Sequence, residues 1–230
     1  GYGEEVVVTP RAYPFEFRHE GLCARHYAII GTACVADGYP LYYDAVNEKG
    51  LGMAGLNFVG NAAYAAPCAG KRNVAQFEFI PWLLGRCAGL AEARAALAKL
   101  NLVGTPFSPH FPAAQLHWLV ADRTGKSMVI EKTADGLHLM DNPVGVLSNS
   151  PDFQWHLTNL RNYMNLSPTQ EQSQTWGSLE LTPFGQGGGS FGLPGDYTPP
   201  SRFVRTAFLK THTPIPAGRD EAALTCFHIM

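Results

Sequence analysis

The first sixty positions carry short apolar runs rich in β-branched and aromatic residues, cut by glycine and proline: VVVTPRAYPF, YAIIGTACVADGYPLYYDAV and LGMAGLNFV. That pattern predicts a block of antiparallel strands. From Asn73 to Cys87 the spacing of Phe77, Ile80 and Leu84 predicts a helix capped by Asn73, with Pro81 kinking it or lying in its first turns. A second helix is expected over Ala91 to Leu100, where Ala, Leu, Glu and Lys concentrate, with Asn101 ending it. NLVGTPFSPHFPAAQ, carrying Pro106, Pro109 and Pro112, predicts a loop, and the segment from Leu116 to Ser150 alternates as three or four short strands. Pro151-Asp152 opens a helix over Trp155 to Tyr163. Gly185 to Ser201 is too rich in glycine and proline for either element and predicts a long ordered loop or arm. A helical pattern resumes from Arg202 to Leu209 behind Pro200, and EAALTCFHIM at the end predicts an amphipathic helix. The order sheet, helices, sheet, helices implies antiparallel sheets covered by helices, in one domain over 1–230, rather than a βαβ repeat.

Composition narrows the function classes. The 230 residues are 46% hydrophobic and only 16% charged, so the chain can bury a substantial core without staples. With 24 glycines and 17 prolines it is rich in shaped loops, on which sites are often built. A net charge of −2 offers no footprint for a polyanion, which argues against nucleic acid as a partner. No apolar run reaches the roughly eighteen residues of a membrane helix, and the first residues lack the basic and apolar regions of a signal peptide. The five cysteines (Cys23, Cys34, Cys68, Cys87, Cys226) are unpatterned, which suits buried thiols in a reducing compartment and a cytoplasmic location. Both ends are expected to be cut, because strand-like Val6-Val7-Val8 arrives with little lead-in and the last helix stops without a terminating signal.

Few motifs carry chemistry on their own. Gly188-Gly189-Ser190-Phe191-Gly192 matches the G-x-S-x-G pattern of a nucleophile elbow, but Leu193-Pro194-Gly195 follows where a helix is required. Cys23 and His26 have the spacing of half a metal site, with no second pair at ligand spacing to complete it. His117, between Leu116 and Trp118, has the setting of a satisfied structural histidine, and the aspartates sit beside turn residues. No phosphate-binding glycine motif is present. Asn57 at the end of LGMAGL, Asn149 at a strand end where a loop opens, and Arg202 behind the proline-rich loop are harder to dismiss. On spacing alone each is read first as structural.

Five long stretches, VVVTPRAYPF, ADGYPLYYDAVNEKGLGMAGLNF, QLHWLVAD, GVLSNSPDFQWHLTNLRNY and GQGGGSFGLPGDYTPPSRFV, resemble the choloylglycine hydrolases, a family of N-terminal nucleophile hydrolases that includes bile salt hydrolases and penicillin V acylases. Asn57 after the A-G-L stretch is similar to the bile salt hydrolase branch. The resemblance implies an α+β fold, an αββα sandwich of antiparallel sheets between helix layers, incomplete here at both ends. It implies cleavage of the amide joining a bile acid to glycine or taurine by a mature N-terminal cysteine, with no cofactor and no metal. The cysteine's own α-amine, with a pKa near 8, would serve as base. Asn57 and Asn149 match the oxyanion-side asparagines of the family, and Arg202 matches an arginine beside the nucleophile. Tyr39, Tyr42 and Tyr43 in one loop, with Phe107 and Phe111 in another, are expected to surround the steroid. The nucleophile itself is expected upstream of Gly1, since none of the five cysteines aligns with it, so this stretch alone is expected to be inactive. The Gly/Pro-rich arm is similar to the assembly arm of tetrameric bile salt hydrolases of gut bacteria, implying a homotetramer for the full-length enzyme. Competing readings are a penicillin V acylase or another N-acyl amide hydrolase of the same fold, and a non-catalytic amphiphile-binding or assembly segment.

Overall fold

In the computed structural model, residues 3–229 are described, and the chain forms two compact units that meet in sequence between Ser150 and Pro151. The first unit contains strands β1 (Glu4–Thr9), β2 (Phe15–Phe17), β3 (Gly21–Cys23), β4 (Ile29–Ala36), β5 (Tyr39–Asn47), β6 (Gly52–Asn57) and β7 (Arg72–Ala75). Helices α1 (Phe79–Leu84) and α2 (Leu90–Leu97) follow, then β8 (Leu100–Val103), β9 (Leu116–Ala121), β10 (Ser127–Thr133) and β11 (Gly136–Asp141). Seven of these strands form one antiparallel sheet in the order β1-β4-β5-β6-β9-β10-β11.

Alternation along the strands gives this sheet two unlike faces. Ile29, Ala33, Ala45, Met53, Trp118, Val120, Met128 and Ile130 point to the buried face, where α1 supplies Phe79, Trp82 and Leu83. Phe79 and Trp118 meet edge to face at 4.9 Å, the arrangement ring quadrupoles favour. The buried Asn47 couples sheet to helix: its Nδ2 donates to the carbonyls of Leu84 and Cys87 at 2.7 and 2.8 Å. The Leu84 carbonyl is one that the helix end leaves without an intrahelical partner, so the carboxamide caps α1 and ties down the turn that follows it. Val6, Val8, Ile30 and Val46 lie on the other face and are exposed.

The second unit holds α3 (Phe153–Asn159), the hairpin β12 (Gln174–Trp176) and β13 (Leu179–Leu181), α4 (Pro199–His212) and α5 (Arg219–Ile229). Asp152 caps α3 by accepting from the Trp155 amide at 2.9 Å, as the Pro151-Asp152 signal predicts. Phe153, His156, Phe203 and Val204 form its interior, with the His156 and Phe203 rings stacked at 4.6 Å.

The α+β class with antiparallel sheets agrees with the sequence expectation, and the Leu116 to Ser150 segment resolves into three strands. Several boundaries differ. Asn73 is not a cap but lies on β7, which pairs in parallel with β8, and a 3₁₀ turn (Gln76–Glu78) precedes α1, placing Pro81 in the helix's first turn. Asn101 likewise sits inside a strand; its Nδ2 donates to Ala66 O and to Asn73 Oδ1. Both β7 and β8 are short, mostly buried runs, whose hydrophobic pattern does not distinguish strand from helix. Helix α5 is not amphipathic in its packing: none of its described residues is buried, and Leu224 and Phe227 are exposed; Met230 lies outside the described residues. Cys34 and Cys87 are buried as expected, whereas Cys68 and Cys226 are exposed. No helix among the described residues is long and apolar enough to cross a membrane.

Candidate active site

A cavity of about 560 Å³ opens at one end of the seven-stranded sheet. Strands β4, β5 and β6, the turn before α1, and the loop between β8 and β9 all reach it. β5 contributes three consecutive residues to the lining, Leu41, Tyr42 and Tyr43. A bulge interrupts the pairing here: Ala33 pairs with Tyr42 and Thr32 with Asp44, so Tyr43 is the extra residue on β5. Tyr39 and its neighbours therefore lie on a strand and not in a loop, a correction to the sequence reading. The β-branched and aromatic content of that stretch outweighs its Gly38-Tyr39-Pro40 turn signal.

Phe77, Phe107 and Phe111 make the aromatic wall. Phe77 and Phe107 meet edge to face at 5.3 Å, and Phe107 meets Phe111 at 6.1 Å. Tyr39 backs this wall from outside the cavity lining, 5.7 Å from Phe77 and 5.8 Å from Phe107. Its hydroxyl is buried without a hydrogen-bond partner among the described residues, and burial pushes its pKa well above the ordinary phenol value. The Arg18 guanidinium lies 5.6 Å from both the Phe77 and Phe107 rings and donates to Phe107 O at 2.8 Å. Gln76 Oε1 accepts from the Ala114 amide, and Tyr64 donates to Ala114 O. The proline-rich loop is thus pinned at both ends.

Two asparagines of the lining lie together. Asn57, at the end of β6, and Asn149 both line the cavity, and Asn149 Nδ2 donates to the backbone carbonyl of Asn57 at 3.2 Å. Ser150 Oγ donates to Val59 O at 3.4 Å, so 149–150 and 57–59 are knitted together across ninety residues of sequence. Gly55, two residues before Asn57 on β6, has Trp118 Nε1 and Leu116 Cδ1 each 3.2 Å from where a Cβ would stand, so a side chain there would press on the site wall. Two carboxamides in a cavity lined by aromatic and aliphatic residues, with Glu4 also reaching it, can donate hydrogen bonds to developing negative charge on a bound carbonyl. Sequence reasoning missed Cys34 and Gln76, which also line the cavity; a glutamine beside an aromatic run was the available signal for Gln76.

Arg202 stands in the second unit, on α4, and its Nε donates to Tyr197 O at 3.0 Å. Asp196 accepts from Thr198 and Ser201, bonds that pull its carboxyl down to about 2, and Arg205 donates to Pro194 O and Asp196 O. The loop ahead of α4 is therefore ordered by its own helix. Gly188-Gly189-Ser190 forms a 3₁₀ turn with Ser190 Oγ donating to Gly187 O, so no nucleophile elbow exists there. Gly189 is buried, and a Cβ on it would lie 2.2 Å from Thr169 O, which accounts for glycine at that position. His26 meets carbonyls with both ring nitrogens and Cys23 Sγ meets Arg25 O; no three metal-capable side chains cluster among the described residues.

The family model for linear amide C–N hydrolases, choloylglycine hydrolase family, matches residues 1–230. The chain is 46% identical over 229 residues to a bile salt hydrolase/transferase of Lactiplantibacillus plantarum, covering 100% of this chain and 70% of that protein. It is 40% identical over 230 residues to a conjugated bile acid hydrolase of Lactobacillus gasseri, covering 100% of this chain and 73% of that protein. A crystal structure of a variant conjugated bile acid hydrolase from Clostridium perfringens superposes with a TM-score of 0.91 at 36% identity, over 100% of this chain and 71% of that one. A penicillin V acylase from Agrobacterium tumefaciens, 20% identical, shares the fold with a TM-score of 0.75 over 99% of this chain and 63% of that one.

Proposed function

Because the chain belongs to the choloylglycine hydrolase family of linear amide C–N hydrolases, we propose that its complete enzyme deconjugates bile salts, cleaving the amide between a bile acid and glycine or taurine. The supporting observation is the cavity itself, aromatic along one wall and carrying Asn57 and Asn149 together. A steroid is a rigid apolar body with one polar tail, and such a ligand needs mostly apolar lining with few polar groups to orient it. Tyr42, Tyr43, Phe107 and Phe111 hold the steroid in this reading, with Tyr39 as backing, and the scissile carbonyl points at the asparagines.

The nucleophile in this scheme is the N-terminal cysteine that the family resemblance puts ahead of Gly1. Its thiolate adds to the amide carbon, and the carbonyl oxygen becomes an oxyanion toward which the Asn57 and Asn149 carboxamides donate. Collapse forms the thioester, and the glycine or taurine nitrogen leaves with a proton from the cysteine's own ammonium. Water then attacks the thioester, releasing free bile acid and thiol. Arg202 favours the thiolate form by its charge in this scheme. We further propose a single family domain over 1–230, a homotetramer of the complete protein, a cytoplasmic location and a gut bacterial source, which suit a substrate delivered in bile.

The test is release of free glycine and taurine from glycocholate and taurocholate by the complete gene product, with penicillin V as competitor. Faster release from bile salts than from penicillin V is the expected outcome. Preferential cleavage of penicillin V would move the assignment to the acylase reading, and steroid binding without any release would leave an amphiphile-binding protein.

A further inference from the structure

The reaction scheme leaves unused a buried pair just behind the two asparagines. On β9, Leu116 lines the cavity and Trp118 faces the core, so His117 between them points to the opposite side of the sheet. There it meets Glu131 of β10, its Nδ1 2.9 Å from Oε1; His117 is 0% exposed and Glu131 3%. The imidazole stacks on Phe58, ring centroids 4.3 Å apart and planes 6° off parallel. Its Nε2 lies 2.7 Å from the carbonyl oxygen of Ser148. Phe58 follows Asn57 directly, and Ser148 directly precedes Asn149. One ring therefore touches the chain neighbours of both carboxamides, which are themselves joined by the Asn149 to Asn57 hydrogen bond.

The chemistry of these contacts fixes the ring. A carbonyl oxygen only accepts, so Nε2 must carry a hydrogen. Facing an ionised Glu131, Nδ1 donates as well and the ring is an imidazolium; facing a protonated Glu131, Nδ1 accepts from the carboxyl. In either state the Nε2–H points at Ser148, and Glu131 satisfies Nδ1 and fixes the ring in that orientation. A neutral imidazole beside an ionised Glu131 would set two lone pairs against each other at one of the two contacts.

We propose that His117, oriented by Glu131, is a positioning residue for amide hydrolysis, holding Ser148 and Phe58 so that Asn149 and Asn57 stand at the distance the oxyanion requires. This rests on the proposed hydrolysis, because only there do the carboxamides face a reacting carbonyl. Replacing both partners with leucine in the complete gene product (His117→Leu with Glu131→Leu) removes the pair as a unit, so neither member is left as a buried charge facing the other's absence. Expected is a fall in kcat on glycocholate of roughly tenfold to hundredfold with KM within about twofold, the signature of misplaced groups that act in the transition state. Glu131→Gln, whose amide can donate to Nδ1 and keep the hydrogen on Nε2, should hold kcat within about threefold. Should the double variant not fold, Glu131→Leu against Glu131→Gln decides: impaired kcat in the first only is expected, equal kcat in both overturns the proposal. Hydrogen exchange of backbone amides 146–150 supplies a readout free of turnover: faster in the leucine variants and unchanged in Glu131→Gln. An inactive parent enzyme would thus count against the hydrolysis alone. Wild-type exchange and kcat in the leucine variants, or a raised KM with kcat unchanged, would overturn the positioning role.

Discussion

Glu78 is 1% exposed, yet its carboxyl accepts from the Arg18 amide at 2.7 Å and the Ala75 amide at 3.4 Å. Burial raises its pKa to about 7 against an ordinary 4.5, outweighing the lowering by those two backbone donors and by the Arg18 charge. The folded state therefore binds more protons than the unfolded one between pH 4.5 and 7, and stability declines as pH rises through that window. Glu78→Gln removes this slope while keeping an oxygen for the Arg18 amide. Urea midpoints of wild type and Glu78→Gln at pH 5 and pH 8 check it: the wild type should lose more stability across the interval than the variant, and parallel behaviour would refute the assignment.

At the scale of elements, the proline-rich loop between β8 and β9 depends on Arg18 more than on its own turns. The guanidinium spans Phe77 and Phe107 and donates to Phe107 O, contacts worth about 1–2 kcal/mol together for a partly exposed group. Arg18→Ala should raise KM for glycocholate roughly fivefold to tenfold with kcat nearly unchanged, since the loop binds the steroid and not the reacting carbonyl; steady-state kinetics on the complete enzyme decide it, and a fall in kcat alone would contradict this division of labour. Arg18 was invisible in the sequence because its partners lie sixty and ninety residues away. The same limit accounts for the other misses. Strand alternation made β9 to β11 legible, and Asp152 announced α3, since both signals are local. The β7 and β8 pair was not legible, because its apolar runs are short and its parallel partner lies across two helices. Asn57 and Asn149 stood out only as polar residues at strand ends, and what joins them is a contact ninety-two positions apart. The bulge at Tyr43 likewise exists only in the pairing of β4 with β5.

At the scale of the whole molecule, the seven-stranded sheet is covered unevenly: on the face away from α1, His117, Val129 and Glu131 of β9 and β10 are buried, whereas the part formed by β1, β4 and β5 is open. On the buried face α1 and the aromatic core exclude water, whereas Val6, Val8, Ile30 and Val46 on the other stand 73%, 63%, 45% and 41% exposed. The pairing of Val8 with Ile30 and of Ile30 with Val46 places three of them in one cross-strand row, so they form a contiguous patch and not scattered surface residues. β1 is also an edge strand, and an apolar edge strand is a template for pairing with another chain. The 230-residue chain by itself should therefore bind the apolar dye ANS and self-associate as its concentration rises. Val6→Thr with Val8→Thr keeps β-branched shape at both positions while making the patch polar, so the strand should persist. Dye binding and sedimentation compared between the two chains settle the matter: weaker fluorescence and a shift toward monomer in the variant are expected. Equal association in both would locate the sticky surface elsewhere, with Phe184, Phe191 and Tyr197 of the second unit, all highly exposed, as the next residues to change.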